Sequence, residues 1–342
     1  MKKIYYTFCG FVVLLIGLSS CDLETGPSNA MTPEEVGSSI INIRAANNGN
    51  YSKMLIQDFV RNINNMPEYQ TDELSLSGVT TSPLFYSYSY NHLLNQANQQ
   101  QIWDRLYHMI SGNNLLLPVI DQTLSAEHAH IRGENLFLRA WSHFHLVNIF
   151  SRQYMLDGVN PSTELGISVV TQYSLTDLPK RNTLKETYDA IIKDLLEAAD
   201  LMTMDKSCAY VSKEVAYALL SRVYLSTGNY TESIKYSDLV INSGRYELVT
   251  GQSFVDYQRV EPETNKENIF VIKFTLKDDL GYGSLGSQWN GDGGYGEVYV
   301  STTHMKLLNK YPEDLRQKQV AVQFTADKKD TLRRNGFPKI FM

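Results

Sequence analysis

Three features of this sequence predict an all-α protein. Long stretches repeat apolar residues every three or four positions, two of them open on capping boxes, and one helix–turn–helix unit has the spacing of a tetratricopeptide repeat. The chain has 342 residues, 43% apolar and 20% charged, a globular composition long enough to bury its own core. Its formal net charge of −6 argues against a protein that must neutralise nucleic-acid phosphates. Tyr is abundant at 22 residues, and its ring has an apolar face and a polar tip that suit a wet recognition surface as well as a core.

Residues 1–20 place Lys2 and Lys3 before an apolar run from Ile4 to Leu18, too short for a membrane span and arranged as a secretory signal. The run ends in Leu18-Ser19-Ser20-Cys21, which resembles the lipobox of bacterial lipoproteins. That resemblance implies that Cys21 becomes the mature N-terminus and carries acyl chains, palmitate among them; two or more chains anchor a protein stably. Cys9 leaves with the signal and Cys21 is taken by lipid, so Cys208 remains alone and the folded part has no internal disulfide. Residues 21–31 are polar and contain Gly26 and Pro27, and they read as a lipidated tether to a domain over 32–342.

The helices follow in order. Thr32-Pro33-Glu34-Glu35 is a capping box with proline at the first helical position, predicting a helix to about Asn47, where Asn47-Asn48-Gly49 stops it. A second helix is predicted over about 51–64, and residues 67–98 read largely as loop. Ile102, Trp103, Leu106, Met109 and Ile110 keep helical spacing from Gln99 onward. Residues 127–150 form the most apolar helix, with Leu136, Phe137, Ala140, Trp141, Phe144, Val147 and Phe150 nearly encircling its second half, and it is predicted at the centre of the domain. Thr183 and Glu186 form another capping box, opening a helix to about Met202.

Residues 213–242 carry the repeat unit, with Gly228-Asn229 as the turn and Tyr217, Leu220, Tyr224, Tyr230, Ser233 and Ile234 at tetratricopeptide offsets. Small Ser221 and Ser233 let the two helices approach. One such pair cannot bury its face alone, so other helix pairs must stack on it. Beyond Leu248 the texture changes. Glu267–Phe274 alternates and is β-branched, predicting a strand; 278–297 is a Gly-rich aromatic loop; 303–310 returns to helix.

Four segments together resemble the RagB/SusD family of surface glycan-binding lipoproteins. They are the helix with Trp103, Tyr107, Ile110 and Asn113; the run Glu134, Phe137, Leu138, Arg139, Ala140 and Phe144; the run Arg181, Glu186, Tyr188, Ile191, Asp194 and Leu195; and the helix pair from Ala216 to Leu248. The lipobox followed by Asp22 and Glu24 fits as well. Ser168 stands where the family usually has proline, and Tyr311, Asp314 and Arg316 resemble a further family motif. Because family members usually run well beyond this length, the chain looks like the N-terminal two-thirds of a member.

Other motifs carry less. Gly281-Tyr282-Gly283-Ser284-Leu285-Gly286 spells a dinucleotide fingerprint, but Ser287-Gln288-Trp289-Asn290-Gly291 does not continue as the helix a pyrophosphate needs. Asn290-Gly291-Asp292 resembles the start of a calcium loop, yet the twelfth position is Ser301 instead of Glu; a looser oxygen site with Asp292 and Glu297 stays open. His128/His130 and His143/His145 are spaced by two, which turns them apart on a helix, so no metal and no cofactor are assigned. Arg139 among apolar neighbours predicts a buried cation with a carboxylate or carbonyl partner.

The aromatics divide. Trp103, Tyr107, Trp141, Tyr217 and Tyr224 sit at helical spacing and read as core. Trp289, Tyr282, Tyr295, Tyr86 and Tyr88 lie among Gly, Ser and Asn, where rings can stack on the C–H faces of sugars while Asn290 and Asp292 pair with hydroxyls. The family resemblance implies an outward-facing outer-membrane lipoprotein that captures polysaccharide or oligosaccharide for a SusC-like TonB-dependent transporter, and that is not an enzyme. A tetratricopeptide adaptor for another envelope protein and a glycan hydrolase are the rival readings. No carboxylate pair or nucleophile elbow speaks for the last.

Overall fold

The computed structural model describes residues 31–76, 85–91, 93, 97–289, 298–321 and 337–338. Residues 1–20 and Cys21 lie outside them. Helices α1 (Pro33–Gly37), α2 (Ile40–Ser52) and α3 (Gln57–Glu68) lead to strand β1 (Leu74–Leu76) and the short α4 (Phe85–Tyr88). Then come α5 (Ala97–Leu116), α6 (Ala126–Phe150), α7 (Leu184–Leu201), α8 (Lys213–Ser226) and α9 (Tyr230–Ile241). The remainder holds α10 (Gly251–Asp256), α11 (Leu285–Trp289), β2 (Val298–Val300), α12 (Thr302–Leu308), β3 (Val320–Ala321) and β4 (Phe337–Pro338). The protein is all-α in class, with two minor two-stranded antiparallel ribbons among the described residues, β1–β2 and β3–β4.

Capping sets the boundaries. Thr32–Glu35 and Thr183–Glu186 each satisfy two orphan backbone N–H groups reciprocally. The first predicted helix is split in two because Ser39 adopts extended backbone and its hydroxyl accepts from Asn42 N–H, starting a new helix there. α2 then runs through Asn47-Asn48-Gly49 to Ser52, since buried Asn47 and Asn50 bond across to α6. α3 begins at Gln57, later than expected, and keeps Pro67 in its last turn.

The core runs along α6, which packs against α5 on one side and α7 on the other. Ile102, Leu106, Ile110, Leu138, Ala140, Leu146, Ile191 and Leu195 are fully buried, and a buried Leu or Ile contributes about 1.5–3 kcal/mol by leaving water. α6 and α7 approach closely at Gly133, where an added Cβ would lie 2.7 Å from Met202 Cγ and 2.9 Å from Ala198 O. Across the same interface Arg139 donates from Nε and Nη2 to Asp194 Oδ2 and Oδ1 at 2.7 and 2.8 Å. Its Nη1 also reaches Asn114 Oδ1 on α5 at 2.9 Å and Thr171 O at 3.1 Å.

α8 and α9 form the helix pair anticipated over 213–242. Gly228 has φ +75°, a conformation that favours glycine, and Asn229 caps α9 by accepting from Glu232 N–H. Ser233 Oγ donates to Ser221 O at 3.0 Å where the helices meet, and the Tyr224 and Tyr236 rings stack 5.6 Å apart.

Two expectations are corrected. Residues 267–274 form no strand. Val271 N–H donates to Cys208 O, and Ile269, Phe270 and Ile272 pack on the helical core, Phe270 edge-on to Phe137. Their alternating pattern is absorbed by helices, not by a sheet. The stretch 67–98 is less irregular than expected, since it holds the end of α3, then β1 and α4.

Candidate functional site

α3 is the platform of the site. Two parts of the chain rest on it: the α4 turn, and residues 281–289, which hold the 3₁₀ turn Gly281–Gly283 and α11. Phe85, at the start of α4, packs against the core and leaves Tyr86 44% exposed beside it, the rings meeting edge-on at 5.9 Å. Tyr88 is partly buried and packs against the core.

Two glycines place Tyr282. Gly281 has φ +50°, which a side chain would strain, and its N–H donates to Asp279 Oδ1 at 2.8 Å. Gly283 is buried so close to Gln57 that a Cβ would come within 1.9 Å of its Cδ. The chain therefore turns tightly down onto α3 on either side of Tyr282 and turns its ring outward, 60% exposed.

Beside this turn runs a groove of about 960 Å³, lined by Val60 of α3 and by Lys273, Phe274, Leu276, Leu280 and Leu285. Asp278, Asp279, Lys277 and Glu261 supply its polar edge. Asp278 accepts from Thr275 N–H and Oγ1–H, and those bonds hold its carboxyl below the ordinary range. Lys273 Nζ donates to Glu263 at 2.8 and 3.0 Å; the bond holds Glu263 low and Lys273 high. Asp278 thus stands on this edge as a carboxylate, offering acceptors to hydroxyl groups.

The predicted site residues separate. Tyr86 and Tyr282 are exposed on one platform, and Tyr88 is turned partly inward. Tyr295, Asn290 and Asp292 lie outside the described residues. Trp289 is a correction: it ends α11 at 5% exposure, its ring edge-on to Tyr69, and it belongs to the core cluster. The Gly-rich context suggested an open loop, but Leu285–Trp289 is a five-residue helix whose Ser287, Gln288 and Trp289 are buried. The groove lining at 273–280 was missed, because Lys273 and Phe274 end the alternating run that predicts a strand and 278–280 begin the Gly-rich loop. Among the described residues no three His, Cys, Asp or Glu side chains gather as a metal-holding group, and no helix is long and apolar enough to cross a membrane.

Stacked helix pairs that carry exposed aromatic side chains on the segments beside them define a helical-repeat scaffold. Residues 35–225 match the SusD-like family model described as "Starch-binding associating with outer membrane". The chain belongs to the SusD-like family. It is 26% identical over 311 residues to SusD-like protein P2 of Formosa agariphila, covering 88% of this chain and 56% of that one. A solved SusD superfamily protein from Bacteroides vulgatus superposes with a TM-score of 0.76 at 23% identity, over 89% of this chain and 68% of that one. Another, from Bacteroides thetaiotaomicron, gives 0.73 at 23%, over 90% and 69%. The chain thus spans just over half the length of the curated relative it matches.

Proposed function

We propose that this protein binds a polysaccharide or oligosaccharide at the surface of the outer membrane and delivers it to a SusC-like TonB-dependent transporter, held to the membrane by lipid on Cys21. The observation that carries the reading is the placement of Tyr86 and Tyr282 on α3. Segments nearly two hundred residues apart in sequence both contact α3 and carry exposed rings, and the segment with Tyr282 borders a groove whose polar edge includes the Asp278 carboxylate. Rings stack on the C–H faces of sugars, and carboxylates accept from their hydroxyls. The family's description as starch-binding and associating with outer membrane supports the same reading.

Binding without cleavage is the chemistry this edge favours. A glycosidase needs one carboxyl held protonated near neutral pH, whereas Asp278 on this edge is held on the ionised side by the bonds it accepts from Thr275. The test is calorimetry with malto-, xylo-, cello- and laminari-oligosaccharides. At least one series is expected to bind and to be recovered uncleaved. Tyr282→Ala and Tyr86→Ala are each expected to weaken it about five-fold or more with the melting temperature unchanged. Failure of a well-folded preparation to bind any glycan defeats the proposal and leaves the adaptor reading.

A further inference from the structure

We propose that Tyr90 is a further ligand-contact residue of this surface, an aromatic face fixed in place for a sugar ring by a left-handed backbone and a tethered hydroxyl. The inference rests on the glycan-binding reading above. α4 ends in a closure in which Tyr90 N–H donates to Ser87 O at 3.2 Å and Asn91 N–H to Tyr86 O at 3.0 Å. This is the Schellman pattern, whose residue just past the helix takes the left-handed conformation and is usually glycine. Here that residue is Tyr90, with φ +54°.

Among the described residues every other positive φ falls on glycine: Gly158, Gly228, Gly244, Gly251 and Gly281. An L side chain in this region crowds its own carbonyl, and glycine would relieve the strain. Burial does not offset it, because the Tyr90 ring is 68% exposed. Strain of this kind persists where the surroundings over-determine it, and it concentrates at binding sites. The surroundings here include the phenol hydroxyl, which donates to Gln70 O.

The ring is therefore held at its backbone and at its tip, on the same turn as exposed Tyr86. A ring fixed in this way loses little rotational freedom when a ligand stacks on it, which favours affinity. A residue kept only to close the turn would be better as glycine. One kept only to tie the turn to Gln70 would act through its hydroxyl and not its face.

Those alternatives can be separated with the whole chain and the same oligosaccharide series. Tyr90→Gly is expected to melt at or above the wild-type temperature while its affinity falls about five-fold or more. Tyr90→Phe keeps the face and loses the tether, and it is expected to retain most of the binding. If Tyr90→Gly binds as wild type while Tyr282→Ala is impaired, the assignment of Tyr90 is overturned and the binding surface stands. An equal loss in Tyr90→Phe and Tyr90→Gly assigns the effect to the tether and also overturns it. If the wild type binds none of the series, both proposals fall.

Discussion

The indole of Trp289 meets the ring of Tyr69 edge-on, with centroids 6.3 Å apart and planes at 82°. Tyr69 follows α3 directly and Trp289 closes α11, so this contact clamps the late segment onto the platform. Trp289→Ala is expected to lower stability by about 3–5 kcal/mol through the cavity it leaves. Because the clamped segment carries Tyr282, glycan affinity is expected to fall together with stability. A double-mutant cycle with Tyr69→Ala, followed by denaturant unfolding, should show a coupling of about 0.5–1.5 kcal/mol. Weakened binding at unchanged stability would return Trp289 to the recognition surface.

The pairing of Arg139 with Asp194 makes a second prediction. Both side chains are buried, and the guanidinium joins α5, α6 and α7. Removing one partner leaves an uncompensated buried charge. Asp194→Leu and Arg139→Met are each expected to cost about 3–5 kcal/mol, and the double variant much less than their sum. Additive losses in urea unfolding would show that the pair does not act as a unit.

Acid should loosen the helical core through two histidines. Burial, with Arg139 beside His143 and Arg222 beside His145, pushes both imidazoles down to about 3. His143 is held neutral as an acceptor, its Nε2 taking the Val170 N–H at 3.3 Å. The unfolded chain takes up these protons below about pH 6.5, and the folded chain does so only near 3. Stability is therefore full above about 6.5 and falls as the pH drops, with a slope approaching about 2.7 kcal/mol per pH unit for two such groups. His145→Phe should roughly halve the slope of unfolding free energy between pH 6 and 4.5. An unchanged slope would mean that other groups carry the acid sensitivity.

Cys21 carries the proposed anchor, so Cys21→Ala should abolish metabolic acyl labelling and move the protein out of the membrane fraction. Continued labelling of that variant would refute the assignment.

What could be read from the sequence was local. Thr183 with Glu186 announced α7, Gly228-Asn229 announced the turn between α8 and α9, and the apolar run around Arg139 announced a buried cation; each depends on neighbours within a few residues or on one helix face. The family was legible for the same reason, since its motifs follow helix faces. The fate of Trp289 was not legible, because its partner Tyr69 lies far upstream and Gly-rich surroundings look alike whether or not another segment covers them. The stretch 267–274 misled in the same way: alternation shows that both faces meet something, not whether that is a sheet or a layer of helices. Tyr90 gave no signal, because a left-handed cap is read from glycine.

The seating of residues 281–289 on α3 bears on the order in which the molecule assembles and opens. The contacts among α5, α6, α7, α8 and α9 join elements close in the chain, whereas this one closes a loop of more than two hundred residues. Contacts of such separation add ordering entropy and tend to form late. They can also open while the local helical stack persists. The amide protons of 281–289 are therefore expected to exchange with solvent well before those of α6, with a stabilised rim reporting an occupied site. The proposed recognition surface is thus seated on a contact between parts of the chain far apart in sequence, so a ligand can order the surface without having to hold together the scaffold beneath it.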